Sequence, residues 1–249
     1  MDFSYAPNYE NAFLVFCRKT YYNEFMKKKL TKKEVDEVIA LIDENYEDAK
    51  TFLNFKTPYE LLIAVILSAQ CTDVRVNKVT EALFLIARTP EEILALGQGK
   101  LKEIIRSCGL YETKSKNIIA ASKMILEEFD GSVPSEMEEL MRLPGVGRKT
   151  ANVVMCNAFA KDAIAVDTHV FRVSNRIGIT QAKNVYQTEL QLMERIEQPM
   201  WGAMHHKLIL HGRALCSARK PKCASCFLMH LCLFYKNEEK EKKNTAAQH

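Results

Sequence analysis

The sequence predicts an all-α protein, and three observations carry that prediction. Helix-start signals recur along the chain, at Thr31 with Glu34, at Thr57-Pro58 with Glu60, at Thr89-Pro90 with Glu92 and at Ser135 with Glu138. Each sets a hydroxyl where it accepts from the free amides of a first turn, with a carboxylate three residues on. Apolar residues then follow at helical spacing, as in Val35, Val38, Ile39 and Ile42, or as an unbroken run from Leu61 to Leu67. Period-two alternation and tight hairpin dipeptides, the marks of sheets, do not occur.

The totals bound the rest. The chain has 249 residues, enough for one large or two modest domains with a sizeable core. Hydrophobic residues make up 47% and charged residues 27%, as in an ordinary globular protein. No apolar run approaches membrane-spanning length and the first residues lack the apolar stretch of a secretory signal, so cytoplasm is the expected compartment. A formal net charge of +4 does not by itself imply nucleic acid. Its distribution says more. Arg142, Arg148, Lys149 and Lys161 fall between Leu140 and Lys161 with no acidic residue, and Lys207, Arg213, Arg219, Lys220 and Lys222 fall between Ala203 and Lys222 with none. Two such stretches are the expected footprint of a polyanion.

Taken in order, residues 1–30 are aromatic-rich, then basic, and carry no readable function. The first helix follows Thr31. The helix opened at Thr57 reads as core and ends at Ser68, Ala69 and Gln70; another opens at Thr89. Ser135 and Glu138 open a short helix that leads into L-P-G-V-G-R-K-T-A, Leu143 to Ala151. Pro144 fixes φ, and Gly145 and Gly147 are expected to supply positive φ. A helix then runs from Arg148 to about Ala158, and its first-turn amides face back toward the glycines. Such a turn is an anion site, and with Arg148 and Lys149 beside it the expected anion is a nucleic-acid phosphate.

Lys149 is the candidate nucleophile. An ammonium in a helix's first turn sits at the positive end of the dipole, which disfavours its charge, and partial burial is expected to act the same way. The free amine is the reactive form. Asp167 is its expected partner. A helix from Arg148 to Ala158 is roughly 16 Å long, and the extended segment from Phe159 to Asp167 reaches up to about 30 Å, so the chain can return to the same cleft. Asp167 also stands where an N-cap belongs, before Thr168 and His169 in a helix that Gly178 ends.

Eight cysteines divide by spacing. Cys17, Cys71, Cys108 and Cys156 are isolated and read as buried thiols. Cys216, Cys223, Cys226 and Cys232 read C-x6-C-x2-C-x5-C, compact enough for four thiolates to meet at one metal centre. Zinc and an iron–sulfur cluster both remain open on spacing alone. A centre there would hold Arg219, Lys220 and Lys222 in one closed loop suited to phosphate. The charged segment 236–249 has little to bury and is expected to be disordered.

L-P-G-V-G-R-K-T-A, V-D-T-H at Val166 to His169, L-S-A-Q at Leu67 to Gln70, and H-G-R at His211 to Arg213 followed by four spaced cysteines together resemble the endonuclease III family, helix-hairpin-helix DNA glycosylases with an iron–sulfur cluster. The likeness runs from roughly Thr31 to Tyr235. It implies two helical lobes: a six-helix barrel over 51–161 that holds the hairpin, and a cluster domain from 31–50 and 162–235. It implies a [4Fe–4S] cluster on the four cysteines, and Lys149 and Asp167 as catalytic residues. Gln70 and Leu110 match loop tips that enter the duplex, where something must fill the gap left by an extruded nucleotide. Gly145, Gly147, Arg148, Arg219, Lys220 and Lys222 are the implied DNA contacts. Asp73, Tyr111, Lys114 and Asn117 match family positions without an assigned role.

The implied activity is that of a bifunctional DNA glycosylase and apurinic/apyrimidinic lyase. It removes oxidised pyrimidines such as thymine glycol through a lysine Schiff base and β-elimination. The implied partner is double-stranded DNA with damaged bases or abasic sites, engaged by a monomer at a bacterial-type nucleoid, with no membrane. Two alternatives stand: a non-catalytic helix-hairpin-helix binding module with a structural or redox cluster, and a mismatch-specific glycosylase of the same superfamily, whose members usually lack lysine at this position.

Overall fold

The structure is a computed structural model that describes residues 29–246, with side-chain environments through 240; residues 1–28, and with them most of the 1–30 extension, lie outside it. Among the described residues the regular elements are all helical. They are α1 (Lys32–Asn45), α2 (Pro58–Ser68), α3 (Asp73–Phe84), α4 (Pro90–Ile105), α5 (Tyr111–Glu128), α6 (Met137–Leu140), α7 (Arg148–Phe159), α8 (Thr168–Ile177), α9 (Val185–Arg195), α10 (Trp201–Ala214) and α11 (Leu233–Ala246), with 3₁₀ turns at Gln198–Met200 and Cys223–Ser225.

Capping chemistry fixes most starts. Thr31 and Thr89 close capping boxes with Glu34 and Glu92, and Thr57 accepts from the Glu60 amide; each such cap is worth about 1 kcal/mol. Ser135 and Glu138 do not do this. The N-cap of α6 is Glu136 and makes no side-chain cap, because Ser135 and Glu136 are turned instead to the Lys161 ammonium. Gly97, at φ 75°, kinks α4 midway.

Apolar side chains sort into two cores. The first gathers α2 to α7 around α2, which is buried along its length from Tyr59 to Leu67. A helix apolar on every side must be enclosed on every side, and α2 is. The second core joins Leu30 and α1 to α8, α9 and α10, together with Leu228 and Leu231. Chain from the first core is therefore inserted between two parts of the second.

The C-terminal segment departs from the sequence reading: α11 runs to Ala246 instead of being disordered. Its first turn has something to bury after all. Leu233 packs against the second core, so close to Gly178 that a Cβ there would collide with it, and Phe234 lies 4.7 Å from the Arg176 guanidinium. The Glu and Lys residues that follow are strong helix formers and continue what that turn nucleates.

Ion pairs and hydrogen bonds join the two cores. Arg148 on α7 pairs with Glu189 on α9 at 2.7 Å, and Asp73 on α3 with Arg213 on α10 at 2.9 Å. His206 Nε2 meets Asn157 Oδ1 at 3.0 Å, and the Asn152 side-chain amide donates to the Ile164 carbonyl at 3.2 Å. Glu189 is almost fully buried, so removing Arg148 strands a carboxylate away from water.

Candidate active site

Two helices begin at the cleft between the cores. The L-P-G-V-G turn delivers the first, α7. Gly145 takes φ 84°, and a Cβ there would sit 2.9 Å from the Cβ and side-chain nitrogen of Asn117, so both conformation and space demand glycine. Gly147 departs from the expectation of positive φ. It is extended, at φ −96°, and serves as the N-cap of α7 with no side-chain cap bond; nothing lies within 4 Å of where its Cβ would be. The first-turn amides of α7 therefore have no side-chain cap, and the space at the Gly147 Cα is open.

The second helix, α8, is closed by Asp167. Its Oδ1 accepts from the His169 and Val170 amides, both at 2.8 Å, and Oδ2 takes no part in the cap. Gly178 ends α8 at φ 101°.

Lys149 and Asp167 line the same cleft, a space of about 570 Å³ partly open to solvent, together with Ser68, Asp73, His205 and Arg213. Lys149 is exposed within it, where the sequence led us to expect partial burial. The two side chains form no ion pair with each other among the described residues. His205 forms part of the wall. Its Nδ1 meets the Ala165 carbonyl at 2.6 Å, so that nitrogen carries the proton and donates. Burial, and then neighbouring His206, push its pKa down to about 3, and it also feels both the Asp167 carboxylate and the Lys149 ammonium. A neutral ring thus underlies the site at any working pH. Sequence reasoning passed over His205; the His205-His206 pair on an apolar helix was the available signal.

Gln70 and Leu110 occupy loop tips, and both are left-handed, at φ 53° and 59°. Such backbone costs non-glycine residues about 1–2 kcal/mol. Leu110 is 55% exposed. The Gln70 loop borders the cleft, since Ser68 and Asp73 on either side of it line that space. Lys114, buried, anchors this loop by donating to the Leu67 and Ala69 carbonyls at 2.8 and 2.6 Å; burial lowers its pKa. Asn117 underlies Gly145, Asp73 neutralises Arg213, and Tyr111 opens α5.

Most of the cations have carboxylate partners. Arg148, expected as a DNA contact, bonds Glu189 through both Nε and Nη2, and its guanidinium lies 5.0 Å from the Tyr186 ring. Arg142 pairs with Glu128, Lys161 with Glu136, Lys207 with Asp43 and Arg213 with Asp73. Lys149, Lys220 and Lys222 form no ion pair among the described residues.

Cys216, Cys223, Cys226 and Cys232 line one mostly apolar cavity with Ile177, His211 and Leu228. Among the described residues no three His, Cys, Asp or Glu side chains meet as ligands of one ion. A four-iron cluster takes four cysteine thiolates, and four cysteines line this one cavity. Burial pushes the Cys226 and Cys232 thiols up, so thiolates there need a cationic centre to hold them. The loop between the first two cysteines is held from α8. Arg172 donates to the Cys216 carbonyl at 3.1 Å, and Arg176 to the Ser217 and Ala218 carbonyls, both at 2.8 Å. Arg219, Lys220 and Lys222 are exposed on it.

Comparison with known proteins agrees along the chain. Residues 63–198 match the HhH-GPD superfamily base excision DNA repair protein, and residues 216–232 match the iron-sulfur binding domain of endonuclease III. Endonuclease III of Escherichia coli strain K12 is 49% identical over 196 residues, covering 79% of this chain and 93% of that protein. The Synechocystis sp. enzyme of the same name is 48% identical over 214 residues, covering 84% and 97%. A solved structure of a trapped endonuclease III–DNA covalent intermediate superposes with a TM-score of 0.80 at 46% identity, covering 84% of this chain and 99% of that one. No described helix is long and apolar enough to cross a membrane.

Proposed function

The chain belongs to the endonuclease III family of the HhH-GPD base excision repair superfamily, and on that premise we propose that Lys149 and Asp167 carry its chemistry on damaged duplex DNA. It is a bifunctional DNA glycosylase and apurinic/apyrimidinic lyase, and its cofactor is a [4Fe–4S] cluster, which we assign to Cys216, Cys223, Cys226 and Cys232. The cluster's contribution is to fix the fold of the 216–232 segment. We assign oxidised pyrimidines, thymine glycol among them, as the substrate bases, and a monomer acting at the nucleoid of a bacterial cytoplasm as the working form.

In this reading the Lys149 amine attacks C1′ of the extruded nucleotide, forming the C–N bond as the bond to the base breaks. Asp167, through the oxygen its cap leaves over, takes the proton the amine sheds and stabilises positive charge developing at the sugar. The sugar ring opens to the Schiff base. Loss of the proton at C2′ then expels the 3′ phosphate by β-elimination, and water returns the amine. Gly147 and the open first turn of α7 receive a backbone phosphate, while Gln70 and Leu110 fill the space the nucleotide leaves.

One observation supports the proposal: Lys149 and Asp167, from different cores, line one cleft. The test is borohydride reduction in the presence of abasic-site duplex. Wild type is expected to give a covalent protein–DNA complex, and Lys149→Ala to lose it along with at least about 10³-fold in strand nicking. Undiminished trapping in that variant removes Lys149 from the role. DNA affinity with neither trapping nor nicking in the wild type selects the binding-module alternative.

A further inference from the structure

Each of the loops that end in Gln70 and Leu110 holds a cysteine that the chemistry above leaves unused. Cys71 follows Gln70 and is partly buried against the first core, and Cys108 precedes Gly109-Leu110 and is fully buried in it. Both are free thiols. The loops meet at this point: a Cβ on Gly109 would lie 3.4 Å from the Gln70 carbonyl oxygen, both cysteines pack in or against the same core, and, beyond the effect of burial, Cys71 is near enough to raise the pKa of Cys108 electrostatically. Lys114, bonded to the Leu67 and Ala69 carbonyls, holds the first loop against the second. The four cluster cysteines lie outside the first core, so this pair stands apart from them.

We propose that Cys71 and Cys108 are a dithiol modification site, where hydrogen peroxide forms an intramolecular disulfide that ties the two loop tips together. The Cys71 sulfur attacks the peroxide, the O–O bond breaks, and Cys71 becomes a sulfenic acid as one water leaves. The Cys108 sulfur then attacks the Cys71 sulfur, the S–O bond breaks, and the hydroxyl departs with the Cys108 proton as a second water. The two thiols together lose two electrons and the peroxide gains them. Burial pushes the Cys108 thiol up to about 11, so the more exposed Cys71 is the first to be oxidised. Closing the bond needs a Cβ–Cβ separation of about 3.5–4.5 Å. Cys108 sits in the packed core, so the Cys71 loop supplies the movement and carries Gln70 with it. The effect on DNA rests on the reading that Gln70 and Leu110 enter the duplex: with their spacing fixed, the oxidised protein engages a lesion more slowly.

The experiment uses the full, cluster-loaded chain, treated with hydrogen peroxide at a level that leaves the cluster's visible absorbance unchanged, then alkylated and digested. A Cys71–Cys108 cross-linked peptide is expected, together with nicking of thymine-glycol duplex slowed severalfold, both reversed by dithiothreitol. Cys71→Ser is expected to show neither change and to nick at the untreated rate. Separately alkylated Cys71 and Cys108 after treatment overturn the site. A cross-link with unchanged nicking overturns its coupling to the loop tips. Reduced protein that never nicks refutes the functional reading instead, while the peptide map still decides the disulfide.

Discussion

The first turns of α7 and α8 begin at one cleft and are built in opposite ways. Gly147 leaves the amides of α7 without a side-chain cap and is itself unobstructed where a side chain would stand, whereas Asp167 folds its own carboxylate onto the amides of α8. One helix end is open to an incoming anion; the other has supplied its anion from within. Both ends are positive by the same dipole, so what separates them is one side chain each. In the proposed function the uncapped end takes DNA phosphate and the capped one carries the chemistry. The contrast also explains how a residue as common in caps as aspartate serves two purposes: Oδ1 holds the helix, and Oδ2 is left over.

Asp167→Asn breaks that double use most sharply. Asparagine caps as well as aspartate, so thermal stability and affinity for lesion duplex are expected to stay near wild type. Turnover is expected to fall by about 10²-fold or more, the usual contribution of a positioned acid–base group. Asp167→Ala is expected to lose about 1 kcal/mol of stability as well. Equal losses of affinity and turnover in the asparagine variant would reduce Asp167 to a cap.

At the open end the two glycines should part company. Gly147→Ala meets nothing within 4 Å, so stability is expected to change by less than about 0.5 kcal/mol, while duplex binding weakens several-fold because the methyl stands where a phosphate approaches. Gly145→Ala forces a left-handed alanine against Asn117, a cost of about 2 kcal/mol read as a lowered melting temperature. Unimpaired binding by Gly147→Ala would close the open end as a phosphate site.

What the sequence disclosed divides along similar lines. Local chemistry was legible: capping boxes at Thr31 and Thr89, the Pro-Gly turn, the all-apolar α2 and the cysteine spacing all depend on residues a few positions apart. Partners remote in sequence were not. Arg148 looked like a free cation because Glu189 lies on another helix, and Arg213 because Asp73 belongs to the other core. The same blindness hid the positions Leu233 and Phe234 take against α8, and so the helix beyond residue 236. His205 escaped notice because its meaning comes from the Ala165 carbonyl and the cleft, which the sequence does not bring near it.

That correction to the cations yields the finest test. Counted along the chain, Arg142 and Lys220 are equivalent positive charges. In the fold Arg142 is already met by Glu128, whereas Lys220 and Lys222 project from a loop that the α8 arginines hold by its carbonyls. A cation that has a carboxylate partner releases no net counterion when DNA arrives; an unpaired one releases about 0.9. The Lys220→Ala, Lys222→Ala double variant should therefore flatten the dependence of log affinity on log salt by about 1.8. Arg142→Gln should leave the slope unchanged, because the charge it removes was balanced before binding. The measurement is duplex affinity across a salt series. A slope altered equally by both changes would mean that Glu128 releases Arg142 when DNA binds, and the sequence count of cations would then describe the bound state better than the fold does.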